Sequence, residues 1–365
     1  MTQRVIVAMS GGVDSSVALL QVAEAGYEAI GVTMKLWEYR DVGGNLLGES
    51  SCCPVEAVNS ARDVCVSLGI PHHTLDFQAV FKTTVVDNFI DEYIAGRTPN
   101  PCVRCNSYVK WDALIKQADQ LGADKIATGH YARIDVSTDA QPRLLKGLDT
   151  HKDQSYVLWG IPRETLARTL FPLGSMTKEQ VRQLARKHGL TTAETPESQE
   201  ICFVADNDYR RFLDQYANGR VSTKVGLGEI VDEDGRIVGQ HPGYAYYTIG
   251  QRRGLGLAAE EPLYVKELDP EANRITVAPR SALYSSVCEL EDVNWLVDRP
   301  DTPRRVHAQI RYNSEAASAQ LIPMDALVRL EFEQAQLAIT PGQSAVFYDG
   351  DTLMGGGIIR RGIET

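Results

Sequence analysis

Over roughly its first 200 residues the chain alternates between two rhythms of apolar and polar positions. Val5-Ile6-Val7-Ala8-Met9 is an unbroken apolar run of strand length, followed after a glycine pair by helically spaced apolar positions over 17–25. A run apolar on both faces suits a strand inside a parallel sheet, and a 3.6-residue period suits a helix laid over it. The alternation continues with strands predicted over 29–34, 73–77 and 125–129, and helices over 55–68, 80–94 and 107–121. In the helix over 55–68, Val55, Val58, Ala61, Val64, Cys65 and Leu68 share one face. Thr177-Lys178-Glu179-Gln180 has the spacing of a capping box and predicts a helix ending at Gly189. Repeated β-α alternation predicts a parallel sheet with helices on both faces.

Near residue 206 the pattern changes. After a short helix over 208–216 come Gly226-Leu227-Gly228, Asp234-Gly235 and the tyrosine-rich 244–247. Short strands are then predicted over 274–277, 306–312, 316–322, 326–332 and 342–348, separated by Pro, Gly, Asn and Asp turns. This predicts a small antiparallel barrel. The expected organisation is an α/β catalytic domain over 1–206, a small connecting domain over 207–272 and a C-terminal β-barrel over 273–365.

Composition narrows the class. A length of 365 residues suits two or three domains, and 43% hydrophobic with 23% charged residues is ordinary for a globular protein. No apolar run reaches the ~18 residues of a membrane helix, and no signal-peptide pattern opens the chain, so a cytoplasmic protein is expected. The net charge of −11 argues against indiscriminate binding of nucleic acid, while leaving selective RNA contact through local basic patches. The seven cysteines are expected to be reduced.

The turn after the first strand reads Ser10-Gly11-Gly12-Val13-Asp14-Ser15-Ser16. Paired glycines let successive backbone N–H groups converge on an anion. Ser15 and Ser16 offer hydroxyl donors, and the helix N-terminus offers its positive dipole end. Asp14 is expected to hold a divalent cation or to orient the helix. No Gly-Lys-Ser/Thr closes the turn, so it is not a Walker loop. It resembles the pyrophosphate loop of enzymes that split ATP between its α and β phosphates; the alternative is an ordinary glycine bend.

Two cysteines stand in polar, chemically suggestive settings. Cys105 lies in Asn100-Pro101-Cys102-Val103-Arg104-Cys105-Asn106, just before a predicted helix. A thiol at a helix N-terminus beside Arg104 is expected to have a lowered pKa. Cys202 lies in Ser198-Gln199-Glu200-Ile201-Cys202-Phe203, read as an exposed loop able to swing. Two thiols meeting over an ATP site suggest sulfur chemistry in which one carries a persulfide and the other resolves it. Cys65, Cys288, Cys52 and Cys53 are expected to serve packing.

Together with Ala127-Thr128-Gly129-His130-Tyr131-Ala132, Lys152-Asp153-Gln154-Ser155-Tyr156 and Tyr247-Thr248-Ile249-Gly250-Gln251-Arg252-Arg253-Gly254-Leu255-Gly256, these motifs give the chain a resemblance along its full length to the tRNA-specific 2-thiouridylases, the MnmA family. The resemblance implies an adenine nucleotide alpha hydrolase-like ATP-pyrophosphatase domain. It also implies ATP-dependent replacement of oxygen by sulfur at carbon 2 of a tRNA wobble uridine. Carried over by motif, Cys105 would be the nucleophile and Cys202 the persulfide carrier. Ala8, Met9, Ser10, Gly11, Gly12, Val13, Asp14, Ser15, Met34 and Gly129 would contact ATP, with Asp14 holding Mg2+. His130, Lys152, Asp153, Gln154, Arg311, Tyr312 and Gln343 would lie against tRNA, and Asn100, Pro101 and Cys102 near the target base. Lys152 is the residue expected to meet accumulating phosphate charge, its other reading being an exposed polar turn. A persulfide-donating sulfur carrier is the implied partner, and a monomer engaging one tRNA is the default.

One position departs from the resemblance. Many members carry Asp three residues before the nucleophile, where this chain has Cys102. Cys102, Cys105 and Cys202 are therefore also three possible ligands of a 4Fe–4S cluster, an alternative to the persulfide relay. The mixture of Tyr244, Tyr246, Tyr247, Gln251, Arg252 and Arg253 suits RNA phosphates and unpaired bases, or equally a hairpin with core tyrosines and solvated arginines. Arg304, Arg305, His307 and Arg311 form a second basic group, read by default as a solvated face. The rival readings are an adenylating synthetase acting on a small molecule and a non-catalytic nucleotide or iron–sulfur sensor that binds RNA.

Overall fold

A computed structural model describes residues 2–37, 55–136, 141–196, 201–204, 206, 208–216 and 225–363. Cys52, Cys53 and Ser198-Gln199-Glu200 lie outside the described residues. Along the chain, β1 (Arg4–Ala8) leads into α1 (Val13–Glu24), β2 (Glu28–Lys35), α2 (Val55–Ser67) and β3 (His72–Asp76). The helical stretch predicted over 80–94 is in three pieces, α3 (Gln78–Phe81), a π-helical turn Lys82–Val86 and α4 (Asp87–Ile94). The helix expected from 107 begins earlier, as α5 (Pro101–Arg104), and continues through a π-helical stretch Cys105–Ala113 into α6 (Leu114–Gln120). Proline tolerates a first helical turn because its missing N–H has no intrahelical partner there anyway. Next come β4 (Lys125–Ala127), β5 (Ala132–Asp135), β6 (Arg143–Lys146), β7 (Thr169–Leu170), α7 (Lys178–Lys187) and α8 (Tyr209–Tyr216).

The protein divides into two compact units. The first comprises Met1–Val85, Cys102–Asp208 and Asp351–Met354. Its parallel sheet has the order β3-β2-β1-β4-β7. β1 is central, which explains its unbroken apolar run: Val5, Ile6 and Val7 are wholly buried. Sequence order runs outward from β1 through β2 and β3 on one side and resumes with β4 on the other. Open α/β sheets bind ligands beyond the carboxyl ends of strands at such a switch point. The glycine turn follows β1 at that end, and Gly129 follows β4. Val13, Val17 and Leu20 of α1 share a buried cluster with Val181 and Ala185 of α7.

The second unit comprises Val86–Pro101, Tyr209–Gly350 and Gly355–Thr365. One sheet, β10-β11-β8-β9, is built from β8 (Gly228–Val231), β9 (Ile237–His241), β10 (Leu263–Asp269) and β11 (Arg274–Pro279). The rest is a barrel of six strands in the order β12-β15-β14-β13-β16-β17, closed by pairing of β12 with β17. Their ranges are β12 (Tyr284–Trp295), β13 (Arg304–Gln309), β14 (Ala317–Pro323), β15 (Val328–Leu337), β16 (Ser344–Asp349) and β17 (Thr352–Ile363). Closure removes the open edges a sheet otherwise exposes. The two closing strands were not predicted, and Gly355-Gly356-Gly357 in β17 shows why for one of them. At Gly355 a Cβ would sit 2.2 Å from the Asn294 carbonyl oxygen, so close strand approach excludes the β-branched residues that signal a strand. Among the described residues no helix is long and apolar enough to cross a membrane.

Candidate active site

Gly11 turns the chain with φ +77°, and a Cβ there would lie 2.3 Å from the Ala57 carbonyl oxygen, so only glycine fits. α1 starts at Val13, which places Asp14 in its first turn, and no side chain caps its N-terminus at Gly12. The two serine hydroxyls expected to reach phosphate point inward instead. Ser15 Oγ and Ser16 Oγ donate to the Gly12 carbonyl at 3.0 and 2.9 Å, and Ser15 Oγ accepts from the Ser10 N–H at 3.2 Å. They hold the turn in shape and leave the anion to backbone N–H groups and the helix dipole. Gly129 closes the other wall: a Cβ there would meet Asp14 C at 2.8 Å and Ser15 N at 2.9 Å. Ala8, Met9 and Met34 are buried beneath.

Asp14 is engaged by protein rather than open to a metal. Lys178 Nζ donates to both carboxylate oxygens at 2.7 and 2.8 Å, and the Tyr131 hydroxyl donates to Oδ1 at 2.8 Å. The Lys178 ammonium lies 5.7 Å from the Tyr131 ring centroid. A divalent ion on Asp14 would have to displace an ammonium that already neutralises it, so Asp14 does not fit the expected role of Mg2+ ligand. Sequence reasoning missed Lys178. It read Thr177-Lys178-Glu179-Gln180 correctly as a capping box, with both reciprocal side-chain bonds made, but as helix chemistry only. The capped first residue of α7 carries the cation to the turn.

Thr128 and His130 are buried, with Thr128 Oγ1 and His130 Nδ1 2.8 Å apart. Burial, with a smaller contribution from the Lys110 charge, holds the His130 pKa well below the usual histidine value, so the ring is neutral near pH 7. Its ring centroid lies 5.8 Å from that of buried Trp111, whose indole N–H donates to Thr169 Oγ1 at 2.9 Å. His130, expected at an RNA surface, is thus packed inside the first unit.

The cysteine segment differs from its sequence reading in one premise. Because α5 begins at Pro101, Cys105 is not at a helix N-terminus but opens the π-helical stretch. π-helical turns inside α-helices are frequent at functional sites. Arg104 is drawn elsewhere: its Nε donates to the Thr84 carbonyl at 2.8 Å and its guanidinium stacks 4.8 Å above the Tyr108 ring. Cys105 is a buried thiol, Cys102 an exposed one, and Cys202 is half-buried. Asn106 is buried, and its Nδ2 donates to the Val157 carbonyl at 2.8 Å. Beyond Cys202, Phe203 and Val204 are buried, and Phe203 packs edge-on against Phe81 with centroids 5.7 Å apart. That end of the segment is therefore anchored, unlike the swinging loop expected. Among the described residues no group of three or more His, Cys, Asp or Glu side chains is placed to hold a metal ion. Cys102, Cys105 and Cys202 are accordingly not gathered as cluster ligands. Cys65 and Cys288 are buried, as expected for packing, with the Cys65 pKa pushed up to about 11 and that of Cys288 higher still.

Lys152-Asp153-Gln154 is neither a bare polar turn nor a set of outward side chains. Asp153 Oδ1 accepts from the Gly147 and Ser155 N–H groups at 2.8 and 3.1 Å, and Oδ2 accepts from Ser155 Oγ at 2.8 Å. Gln154 Oε1 accepts from the Tyr131 N–H at 3.1 Å, so this turn braces the residue that leads into β5. Lys152 is half-buried.

In the second unit, an Arg311 N–H donates to the Ala338 carbonyl and, at 3.4 Å, to Thr340 Oγ1. Tyr312 is exposed. Gln343 Nε2 donates to the carbonyls of Thr98 and Pro99 at 3.0 and 3.1 Å, and Asn100 and Pro101 follow directly. Tyr244 and Tyr247 are buried, whereas Arg252 and Arg253 are exposed, and Arg252 lines a cavity of about 440 Å³ together with residues 254–257 and 259–263. The 244–256 stretch thus has the core tyrosines and solvent-facing arginines of the hairpin reading, although Tyr244–Tyr246 form a 3-10 turn.

A family model described as "tRNA methyl transferase HUP domain" matches residues 3–206. Models described as "tRNA methyl transferase PRC-barrel domain" and "Aminomethyltransferase beta-barrel domain" match 210–279 and 285–359. The relative named tRNA-specific 2-thiouridylase MnmA from Carboxydothermus hydrogenoformans is 48% identical over 365 residues, covering 98% of each chain. Its namesake from Geotalea uraniireducens is 46% identical over 366 residues, covering 100% of this chain and 96% of that one. That from Salinibacter ruber is 46% identical over 361 residues, covering 98% and 94%. With all three segments matched and relatives aligned end to end, the chain belongs to the tRNA-specific 2-thiouridylase family.

Proposed function

We propose that the protein is an ATP-dependent tRNA sulfurtransferase that converts a wobble uridine to 2-thiouridine. The observation that carries this reading is the uncapped helix that starts at Val13 within the Ser10–Ser16 motif, walled by Gly129 and balanced by Lys178 on Asp14, in a chain of this family. A uridine carbonyl is a weak electrophile with a poor leaving group. Attack of its oxygen on the α-phosphate of ATP releases pyrophosphate and leaves an adenylated oxygen, which departs later as AMP. The turn and the Lys178 ammonium stabilise the charge that collects on the departing pyrophosphate. This role falls to Lys178 rather than to Lys152.

Sulfur arrives as a persulfide on Cys202, loaded by a sulfur-carrier protein. Its terminal sulfur attacks carbon 2, AMP leaves, and Cys105 attacks the remaining Cys202 sulfur. The products are 2-thiouridine, AMP and a Cys105–Cys202 disulfide, which a dithiol reductant reopens with two electrons. In this reading residues 1–206 perform the chemistry, while 207–272 and 273–365 engage one tRNA per monomer.

The test is a reaction of purified protein with tRNA, ATP and a persulfide donor, scored for pyrophosphate and for 2-thiouridine in digested RNA. Pyrophosphate release that requires tRNA, thiouridine formation by iron-free protein, and loss of thiouridine in Cys105→Ser support the relay. Pyrophosphate release without tRNA points to a small-molecule synthetase, and no pyrophosphate at all points to a binding module. Sulfur transfer that disappears with bound iron moves the reading to a cluster on Cys102, Cys105 and Cys202.

A further inference from the structure

Lys178 is held at both ends. Its ammonium lies on Asp14, and its backbone N–H donates to Asp149 Oδ2 at 2.9 Å. Lys178 is the first residue of α7, and a helix leaves the N–H groups of its first turn without intrahelical acceptors. Within the capping box Thr177 Oγ1 accepts from the Gln180 N–H, so the Lys178 N–H needs an acceptor from elsewhere. Asp149 supplies it from the loop that follows β6, and its negative charge stands at the positive end of the helix dipole.

The same loop grips Tyr131, whose hydroxyl also donates to Asp14. The Gln154 N–H donates to the Tyr131 carbonyl at 2.9 Å, and the Tyr131 N–H donates back to Gln154 Oε1 at 3.1 Å. A Cβ at Gly147 would lie 2.7 Å from the Tyr131 carbonyl oxygen, so the loop packs directly on that residue. The loop is itself fixed. Asp149 Oδ1 accepts from the His151 N–H at 3.1 Å, and the Asp149 carbonyl accepts from the Lys152 N–H at 3.0 Å. Asp153 Oδ1 accepts from the Gly147 N–H at 2.8 Å, and the Leu148 N–H donates to the Gly174 carbonyl at 2.9 Å. Tyr131 and Lys178 therefore converge on Asp14 from two points set by one loop, all of it in the first unit.

We infer that Asp149 is a positioning residue for the nucleotide chemistry, which fixes where α7 begins and so where the Lys178 ammonium stands. Its consequence for pyrophosphate release rests on the sulfurtransferase reading; the hydrogen bond itself does not. An ammonium fixed in advance meets developing charge without reorganisation, so loosening its anchor lowers the rate constant more than the affinity for ATP. Misplacement of a catalytic group by about 1 Å is enough to slow a reaction by about a hundredfold.

The experiment measures tRNA-dependent pyrophosphate release by the full chain for Asp149→Ala, Lys178→Met and the double variant. Asp149→Asn serves as the conservative variant, since it keeps an oxygen for the Lys178 N–H. Asp149→Ala is expected to lower the rate at saturating tRNA and ATP by about tenfold to a hundredfold, with the KM for ATP within about threefold. Asp149→Asn is expected to stay within about threefold of wild type. In the Lys178→Met background, Asp149→Ala is expected to change the rate by less than about twofold, because it acts through the lysine. A residue that only stabilised the fold would lower both backgrounds by the same factor, and that result would overturn the inference. Amide hydrogen exchange of the resting protein reads the anchor directly: the Lys178 amide is expected to exchange at least about tenfold faster in Asp149→Ala, and unchanged exchange also overturns the inference. If the wild-type protein releases no pyrophosphate, the sulfurtransferase reading falls and takes the inference with it. Wild-type release combined with additive losses sinks the inference alone.

Discussion

Lys178 and Asp14 stand 164 positions apart in sequence and meet through two hydrogen bonds of 2.7 and 2.8 Å. The pair joins the first turn of α1 to the first turn of α7, with side-chain exposures of only 33% for Asp14 and 12% for Lys178. Little water competes there, so the ammonium is held in place before a nucleotide arrives. An electrostatic group fixed in advance needs no reorganisation when negative charge develops.

Lys178→Met is therefore expected to slow tRNA-dependent pyrophosphate release by about a hundredfold or more, the usual loss on removing one preorganised donor. Lys178→Met and Asp14→Asn should each cost about 1–2 kcal/mol of stability, between the values for exposed and buried pairs. The double variant is expected to lose less than the sum, because neither charge is then left alone. Rapid-mix pyrophosphate assays and urea titrations measure both effects. A Lys178→Met protein releasing pyrophosphate at the wild-type rate would remove this lysine from the chemistry.

Gly129→Ala and Gly160→Ala form a matched comparison. At Gly129 the new Cβ meets backbone atoms of Asp14 and Ser15 at 2.8 and 2.9 Å, whereas at Gly160 the nearest atom is the Ser107 hydroxyl oxygen at 2.3 Å. A hydroxyl can rotate away, but the start of α1 cannot move without reshaping the turn. Gly129→Ala is expected to weaken ATP binding at least about tenfold through this overpacking, and Gly160→Ala to leave it nearly unchanged. Equilibrium binding of ATP to the two variants decides.

Thiol labelling should separate the cysteines. The thiolate is the reactive species, and burial has pushed the Cys65 pKa up to about 11. For Cys288, burial and the neighbouring Glu289 charge act in the same direction. Iodoacetamide at pH 8 is expected to modify exposed Cys102 in the native protein, and Cys65 and Cys288 only after unfolding. Peptide mapping of the native, labelled protein checks this. Early modification of Cys288 would show that the barrel opens under native conditions.

Two buried histidines give stability a defined pH dependence. His130 and His241 both have pKa values lowered by burial from the ordinary 6.5. Below pH 6.5 the unfolded chain takes up protons that the native rings refuse. Their contribution is therefore complete above that pH and is lost as pH falls, by at most about 1.4 kcal/mol per unit for each ring. The one polar group recorded against the buried His241 ring among the described residues is the Asn273 backbone, so an apolar replacement sacrifices little hydrogen bonding. His241→Phe is expected to flatten the slope between pH 6.5 and 5 while changing stability at pH 8 by less than about 1 kcal/mol. Denaturant titrations at several pH values test the slope, and an unaltered slope would place the titration elsewhere.

Much of this protein was legible because it is local. The apolar run of β1, the glycine turn after it and the capping box of α7 are each decided within a few residues by backbone sterics, periodicity and capping. The α/β part followed by a β-rich part could be read from the same signals, and so could the packing roles of Cys65 and Cys288. The tertiary structure decided which distant groups meet. It turned Ser15 and Ser16 inward, placed Lys178 on Asp14, packed His130 inside the first unit and closed the barrel with the glycine-bearing β17. It also gave both donors of Gln343 to the Thr98 and Pro99 carbonyls. The physical reason is that a motif names the residue types a site needs, whereas the partner of each side chain is chosen by whichever remote segment packing brings within about 3 Å of it.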